Sequence, residues 1–185
     1  MHIEIEAKLK VGSLPAVVKK LKAAGARFVG KHIQTDTYFD DGKSSLRKSD
    51  SALRVRRQLI GRKEQVIVAF KGPKRKGRFK QRQEIQFEVS DARLAEMLLA
   101  AIGYKKALVF QKKRDVWLLG GCEVALDELP LLGSFVEIEG PDEKKIAAVQ
   151  KKLGLSDLPH IADSYAVLMT KQLRRHGRKN NRVFF

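Results

Sequence analysis

The residues best placed to do chemistry come in pairs of like charge, two positions apart. Glu4 and Glu6 open the chain with Lys8 behind them; Arg54 with Arg56 and Lys112 with Arg114 are basic pairs, and Glu137 with Glu139 is a second acidic pair. Side chains on a strand alternate faces, so each pair shares one side while apolar neighbours such as Ile3, Ile5, Ala7 and Leu9 take the other. Two carboxylates about 7 Å apart on one face repel by roughly 2 kcal/mol at an effective dielectric of 20. Open water would screen that repulsion, a closed cavity would not, and a cation between the acids would reverse its sign. A half-buried strand with a solvated charged face gives the same local pattern. Recurrence favours a site: solvated strands mix Thr, Ser, Gln and both charge signs, whereas here several strands are sorted by sign.

Acids and bases together in one cavity suit metal-assisted phosphoryl or nucleotidyl transfer. Several carboxylates supply the oxygen ligands that Mg²⁺ or Mn²⁺ prefers. Arginine forks and lysine point charges hold phosphate oxygens and stabilise the charge that develops on them. A plain anion pocket would have no use for the acid pairs.

The elements that must carry these residues are legible from their period. Alternation marks about eight strands: the first over residues 3–9, then 33–40, 52–58, 66–71, 84–89, 109–117, 122–127 and 135–139. Helical spacing appears after Ser13, where Leu14, Val17, Val18 and Leu21 recur before Gly25, and after Asp91, where Leu94, Met97, Leu98 and Ala101 are expected to be buried before Gly103. Two more helices are expected at residues 142–153 and beyond Asp163. If the strands close into a barrel with apolar positions outward under the helices and charged positions inward, the helices have something to cover. Such an interior is stable only when its charges are paired or ligated.

At 185 residues the chain is one domain's worth: a single domain over residues 1–171, then a basic tail, 172–185, expected to be mobile. The N-terminus shows no leader pattern and no apolar run reaches membrane-span length. Cys122 is the only cysteine, which precludes an internal disulfide and fits a reducing cytoplasm. The formal charge of +17 brings a polyanionic partner into consideration: nucleic acid, a membrane surface or a phosphate-rich substrate. Much of the excess sits between Lys71 and Arg82, Lys76 included, and in the tail. Nucleic acid is disfavoured because the carboxylate pairs would repel phosphates without a metal, and because the Lys71 to Arg82 segment offers only Phe79 for stacking.

At these residues the sequence resembles the CYTH superfamily, the triphosphate tunnel metalloenzymes, which include class IV adenylyl cyclases, thiamine triphosphatases and inorganic triphosphatases. The family's E-x-E-x-K stands here as Glu4, Glu6 and Lys8. Further blocks follow in the family's order: Asp36-Thr37-Tyr38-Phe39-Asp40, Leu53-Arg54-Val55-Arg56, Phe70-Lys71-Gly72-Pro73, Lys112-Lys113-Arg114, Leu126-Asp127, and residues 132–139 ending in Glu137-Ile138-Glu139. The resemblance implies an α+β fold, an eight-stranded antiparallel barrel open as a tunnel, with helices outside. It implies that Glu4, Glu6, Asp127, Glu137 and Glu139 bind a divalent metal, Mg²⁺ or Mn²⁺, and that Lys8, Arg54, Arg56, Lys71, Lys112 and Arg114 cradle a triphosphate. Glu4, Glu6 and Lys8 would form the catalytic group. Arg82 and Glu84 match a further arginine-acid segment, although Gln86 stands where a second acid is common. Adenylyl cyclase chemistry is the leading expectation, with hydrolysis of tripolyphosphate or thiamine triphosphate as the alternative and a homodimer as the expected assembly of the cyclase branch.

Overall fold

Strand alternation and helix capping combine here into a sheet that closes on itself. The computed structural model describes residues 2–75, 77–178 and 180–185, with His2 as backbone alone; Lys76 of the basic segment and Lys179 of the tail lie outside the described residues. Along the chain run β1 (His2–Lys10), α1 (Leu14–Ala23), β2 (Arg27–Asp40), α2 (Ser45–Lys48), β3 (Ala52–Ile60), β4 (Lys63–Lys71), β5 (Lys80–Val89) and α3 (Ala92–Ala101). They are followed by β6 (Lys105–Leu119), β7 (Cys122–Leu129), β8 (Gly133–Glu139), α4 (Glu143–Lys152), α5 (Tyr165–Arg175) and β9 (Arg182–Val183). The strand order is β2-β3-β4-β5-β1-β8-β7-β6, and β6 pairs back onto β2, so eight antiparallel strands form a closed barrel without free edges. The ninth, β9, pairs in parallel outside β6 at Val109 and Phe110.

The barrel is greasy outside and ionic inside. Ala7 and Leu9 of β1, Val124 and Leu126 of β7, and Val136 and Ile138 of β8 point outward and pack against Val17 and Leu21 of α1 and Ile146, Val149 and Leu153 of α4. Their partners on the same strands, at odd spacing, face the lumen. Each covering helix starts on a side-chain cap: Ser13 Oγ accepts from the Ala16 N–H, Asp91 from Leu94, Asp142 from Lys145 and Ser164 from Val167. Among the described residues no helix is long and apolar enough to cross a membrane.

α3 corrects one expectation. Leu94, Met97 and Leu98 are exposed rather than buried, at 63%, 55% and 63%, and Ala101 is exposed with them. The helix instead lays Ala92, Ala95 and Leu99 on Val55 and Val66 of the barrel wall. Two alanines let the helix backbone approach the sheet closely, and the larger side chains are left on the far face.

α5 does a different job from the other helices. Leu108 and Phe110 of β6, Leu129 of β7 and Phe135 of β8 share the inward parity of the charged residues, yet they are apolar and lie at one end of the barrel, where they pack on Tyr165, Met169 and Leu173 of α5. The helix therefore lies across that end. Val183 joins the same cluster, so the chain returns to the barrel after α5.

Gly140, between β8 and α4, sets how closely these elements meet. Its N–H donates to the Ile5 carbonyl at 3.2 Å, and an added Cβ would stand 2.7 Å from Cys122 Sγ and 2.9 Å from Ile146 Cγ1. Gly140→Ala is expected to destabilise the fold by about 1–3 kcal/mol through overpacking, read as a lower urea midpoint with an unchanged slope.

Candidate active site in the barrel interior

The lumen holds a cavity of about 360 Å³. The sequence-predicted residues Glu4, Glu6, Lys8, Arg54, Arg56, Lys71, Glu84, Lys112, Arg114, Glu137 and Glu139 all line it. Two do not. Arg82 turns its guanidinium to Asp50 at 2.7 Å, and Asp127 is fully buried beneath Lys112, Arg114 and Tyr165, which do line the cavity.

Register explains how distant pairs meet. β1 lies between β5 and β8, with Glu4 opposite Arg82, Glu6 opposite both Lys80 and Glu139, and Lys8 opposite Glu137. Lys71 donates to Glu4 and stands 3.4 Å from Glu84. Glu6 accepts from Lys80 and is 3.6 Å from Lys8, which in turn is 3.2 Å from Glu137. Burial alone would raise the Glu6 carboxyl; with Glu137 nearby that tendency grows, but the ammonium groups of Lys8, Lys80 and Lys71 outweigh both and bring it down to about 2. Lys8 is pushed up to about 12, because Glu6 and Glu137 overcome the cost of burying its charge.

Across the lumen, carboxylates hold the guanidinium groups. Asp36 accepts from Arg56 Nε at 2.6 Å and Arg56 Nη2 at 2.8 Å, and Arg54 lies 3.6 Å away. Asp127 accepts from Arg114 Nε at 2.7 Å, from Lys112 at 3.3 Å and from the Tyr165 hydroxyl at 2.9 Å; Arg114 also donates to Glu137. Asp127's oxygens are thus committed to positioning Lys112, Arg114 and the first turn of α5. Burial and the adjacent Arg114 bring Lys112 down to about 7, despite Asp127.

The Asp36 forks carry a pH signature. Burial would raise this carboxyl, but Arg56 and Arg54 hold it well below the usual carboxylate range. A group depressed on folding contributes stability above its unfolded value of about 3.9 and loses it as pH falls below that. Wild-type stability is expected to drop as pH is lowered from 5 toward 2, and Asp36→Asn to flatten that part of the profile while lowering stability at pH 7. Urea melts across pH measure both.

Sequence reasoning missed several lining residues. Glu123 stands opposite Glu139 in the β7 register, so Glu6, Glu139 and Glu123 form a row of carboxylates across three strands. Its signal was present, since Glu123 shares the parity of Asp127 in β7. Lys80 is likewise two residues before Arg82. Gln34 and Gln58, also in the lining, are neutral and carried no charge pattern to find.

A closed antiparallel barrel with its ions inside and its helices outside is a rare inversion of the usual core, and it defines the class. The sequence matches the CYTH domain over residues 2–165, and the chain belongs to that family. A Methanocaldococcus jannaschii protein named provisionally as an adenylate cyclase is 31% identical over 150 residues, 81% of each chain. A solved structure of a Pyrococcus horikoshii protein superposes with a TM-score of 0.80 at 28% identity, over 91% of this chain and 99% of that one. A Hippeastrum protein, described as an adenylyl cyclase candidate with a dominant triphosphatase activity, has the same fold at a TM-score of 0.71 and 18% identity, over 96% and 97% of the two chains.

Enzymes of this family generally use a divalent metal, and the donor set here fits one in kind. Glu4, Glu6, Glu123 and Glu139 offer hard oxygen donors on neighbouring strands. Burial, then Glu4, pushes the Glu139 carboxyl up to about 7, with Glu123 and Glu6 adding to the rise against Lys71; this crowding of acids is what a dication relieves. Among the described residues, no three acidic, His or Cys side chains converge closely enough to hold an ion as they stand. The Lys71 and Lys80 ammonium groups balance Glu4 and Glu6 instead.

Proposed function

We propose that this protein is a metal-dependent triphosphate enzyme, best read as a class IV type adenylyl cyclase that converts ATP to cyclic AMP and pyrophosphate. The observation that carries the reading is a lumen walled by Lys8, Arg54, Arg56, Lys71, Lys112 and Arg114, in which the buried Arg54 Nε–H has no partner among the described residues. A buried guanidinium donor left unpaired on a residue that lines such a cavity is one that a phosphate oxygen can match. Lys8, Lys71, Arg54 and Arg56 would hold the phosphate chain, and Lys112 and Arg114 would bear the charge that grows as the bond to the leaving group breaks. Glu4, Glu6, Glu137 and Glu139, with Glu123 beside Glu139, would hold Mg²⁺ or Mn²⁺, which when bound supplies Lewis-acid stabilisation of phosphate charge. Asp36 and Asp127 keep the cations in place.

The adenylate cyclase name of the Methanocaldococcus relative supports cyclisation. Hydrolysis is the second reading, since the Hippeastrum protein of the same fold has dominant triphosphatase activity and the same acids and bases serve both reactions. Purified protein incubated with Mg²⁺ or Mn²⁺ and ATP, thiamine triphosphate or tripolyphosphate separates them: cyclic AMP with pyrophosphate selects the cyclase, orthophosphate the triphosphatase. No turnover of any of the three would sink both. By the same branch we expect a homodimer in the cytoplasm, with Cys122 as a free thiol.

A further inference from the structure

Along one side of the lumen, starting opposite Lys112, runs a row of neutral amides. Gln34 Nε2 donates to Gln58 Oε1 at 2.8 Å, Gln58 Nε2 donates to Gln65, and Gln65 Nε2 donates to Glu88. Register places this row across β2, β3 and β4, with Gln34 opposite Gln58 and Gln58 opposite Gln65. An amide alone could face either way, because its oxygen and nitrogen differ only in which one donates. Here the far end decides. An ionised carboxylate accepts and never donates, so Glu88 obliges Gln65 to present nitrogen to it and oxygen to Gln58. The same choice then passes to Gln34, whose oxygen is left at the head of the row.

That oxygen has nowhere to go within the protein. Gln34 is 2% exposed, and its Oε1 has no hydrogen-bond partner among the described residues. Lys112, its register neighbour on β6, gives its ammonium to Asp127. Both Gln34 and Gln58 line the cavity. They lie two residues along their strands from Asp36 and Arg56, about 7 Å from the guanidinium row. A phosphate held by the arginines therefore has the amide row as its next neighbour along the lumen. Phosphate oxygens are acceptors and cannot use another acceptor, so the group that completes Gln34 is a hydrogen-bond donor on the organic part of the substrate, an amino group or a hydroxyl.

We propose that Gln34 is a specificity-determining residue: its unpartnered amide oxygen, at the head of the row, accepts from the amino group of a nucleobase, so the substrate is an amino-bearing nucleoside triphosphate rather than bare tripolyphosphate. This rests on the triphosphate reading above. Glu88 acts through the row as a positioning residue, since it sets which end of each amide faces the ligand.

The test compares ATP with ITP, which carries a carbonyl where ATP carries the amino group, using ligand-induced shifts in melting temperature with Mg²⁺ present and apparent dissociation constants drawn from them. Tripolyphosphate and 2′-deoxyATP are run alongside. The wild-type protein is expected to bind ATP at least about tenfold more tightly than ITP, the loss expected when a site built for a donor meets a second acceptor. Gln34→Met should bring the two within about twofold of each other and leave tripolyphosphate binding unchanged. Glu88→Lys, at an exposed position, replaces the terminal acceptor with a donor; the row should reverse, turn the Gln34 NH₂ toward the ligand and favour ITP. A merely structural role for Glu88 would weaken both nucleotides alike. Equal wild-type binding of ATP and ITP, a preference that survives both substitutions, or a loss confined to 2′-deoxyATP would overturn the assignment. Failure to bind tripolyphosphate or any nucleotide would instead remove the triphosphate reading on which it rests.

Discussion

Arg114→Ala is expected to cost about 3–5 kcal/mol of folding stability, the range for removing one partner of a buried ion pair. Arg114 spans two acids, taking Asp127 through its fork and Glu137 through Nη2. Asp127 is wholly buried, and without Arg114 it would keep only Lys112, which burial has already brought down to about 7, and the Tyr165 hydroxyl. Glu137 would retain Lys8 at 3.2 Å. Two carboxylates would then share too little positive charge in a closed lumen. Arg114→Lys should recover part of the loss, because it restores the charge but not the two-pronged geometry. Urea unfolding of the three proteins measures the effect; a cost under about 1 kcal/mol for the alanine variant would mean that the lumen is wet enough to screen these acids.

Glu4→Gln is expected to reduce metal-dependent turnover by about 10²-fold or more while leaving the fold intact. Loss of partners one step removed from a metal already costs 10–100-fold in affinity or activity, and Glu4 is proposed as a direct ligand. Glutamine has nearly the same shape and keeps an oxygen for the Lys71 ammonium, which now donates to Glu4, so the substitution removes charge more than contact. Turnover of ATP and of tripolyphosphate at rising Mg²⁺ should show a weakened metal response, and a melting curve close to wild type would separate this from unfolding. An unchanged rate would take Glu4 out of the site.

The inverted barrel was legible because charge sorting at i and i+2 is a local signal. Glu4 with Glu6, Arg54 with Arg56, and Glu137 with Glu139 announce an inward face wherever their neighbours are apolar, and the caps at Ser13 and Asp91 announce helices in the same local way. What could not be read depends on neighbours far along the chain. Asp36 becomes the anchor of Arg54 and Arg56 only through the β2–β3 register. Glu123 joins the acids only because β7 sets it beside Glu139. The face α3 buries departs from its periodicity, which names the apolar stripe, because contact with the barrel wall favours the smaller side chains Ala92 and Ala95.

With α5 seated across one end of the barrel through Tyr165, Met169 and Leu173, the opposite mouth is the wider way in for a ligand. A ligand that enters by that mouth would then leave by the same path. Under the cyclase reading proposed above, pyrophosphate left among the lysines would occupy the place of the next triphosphate until it departs, and added pyrophosphate would then inhibit by competition.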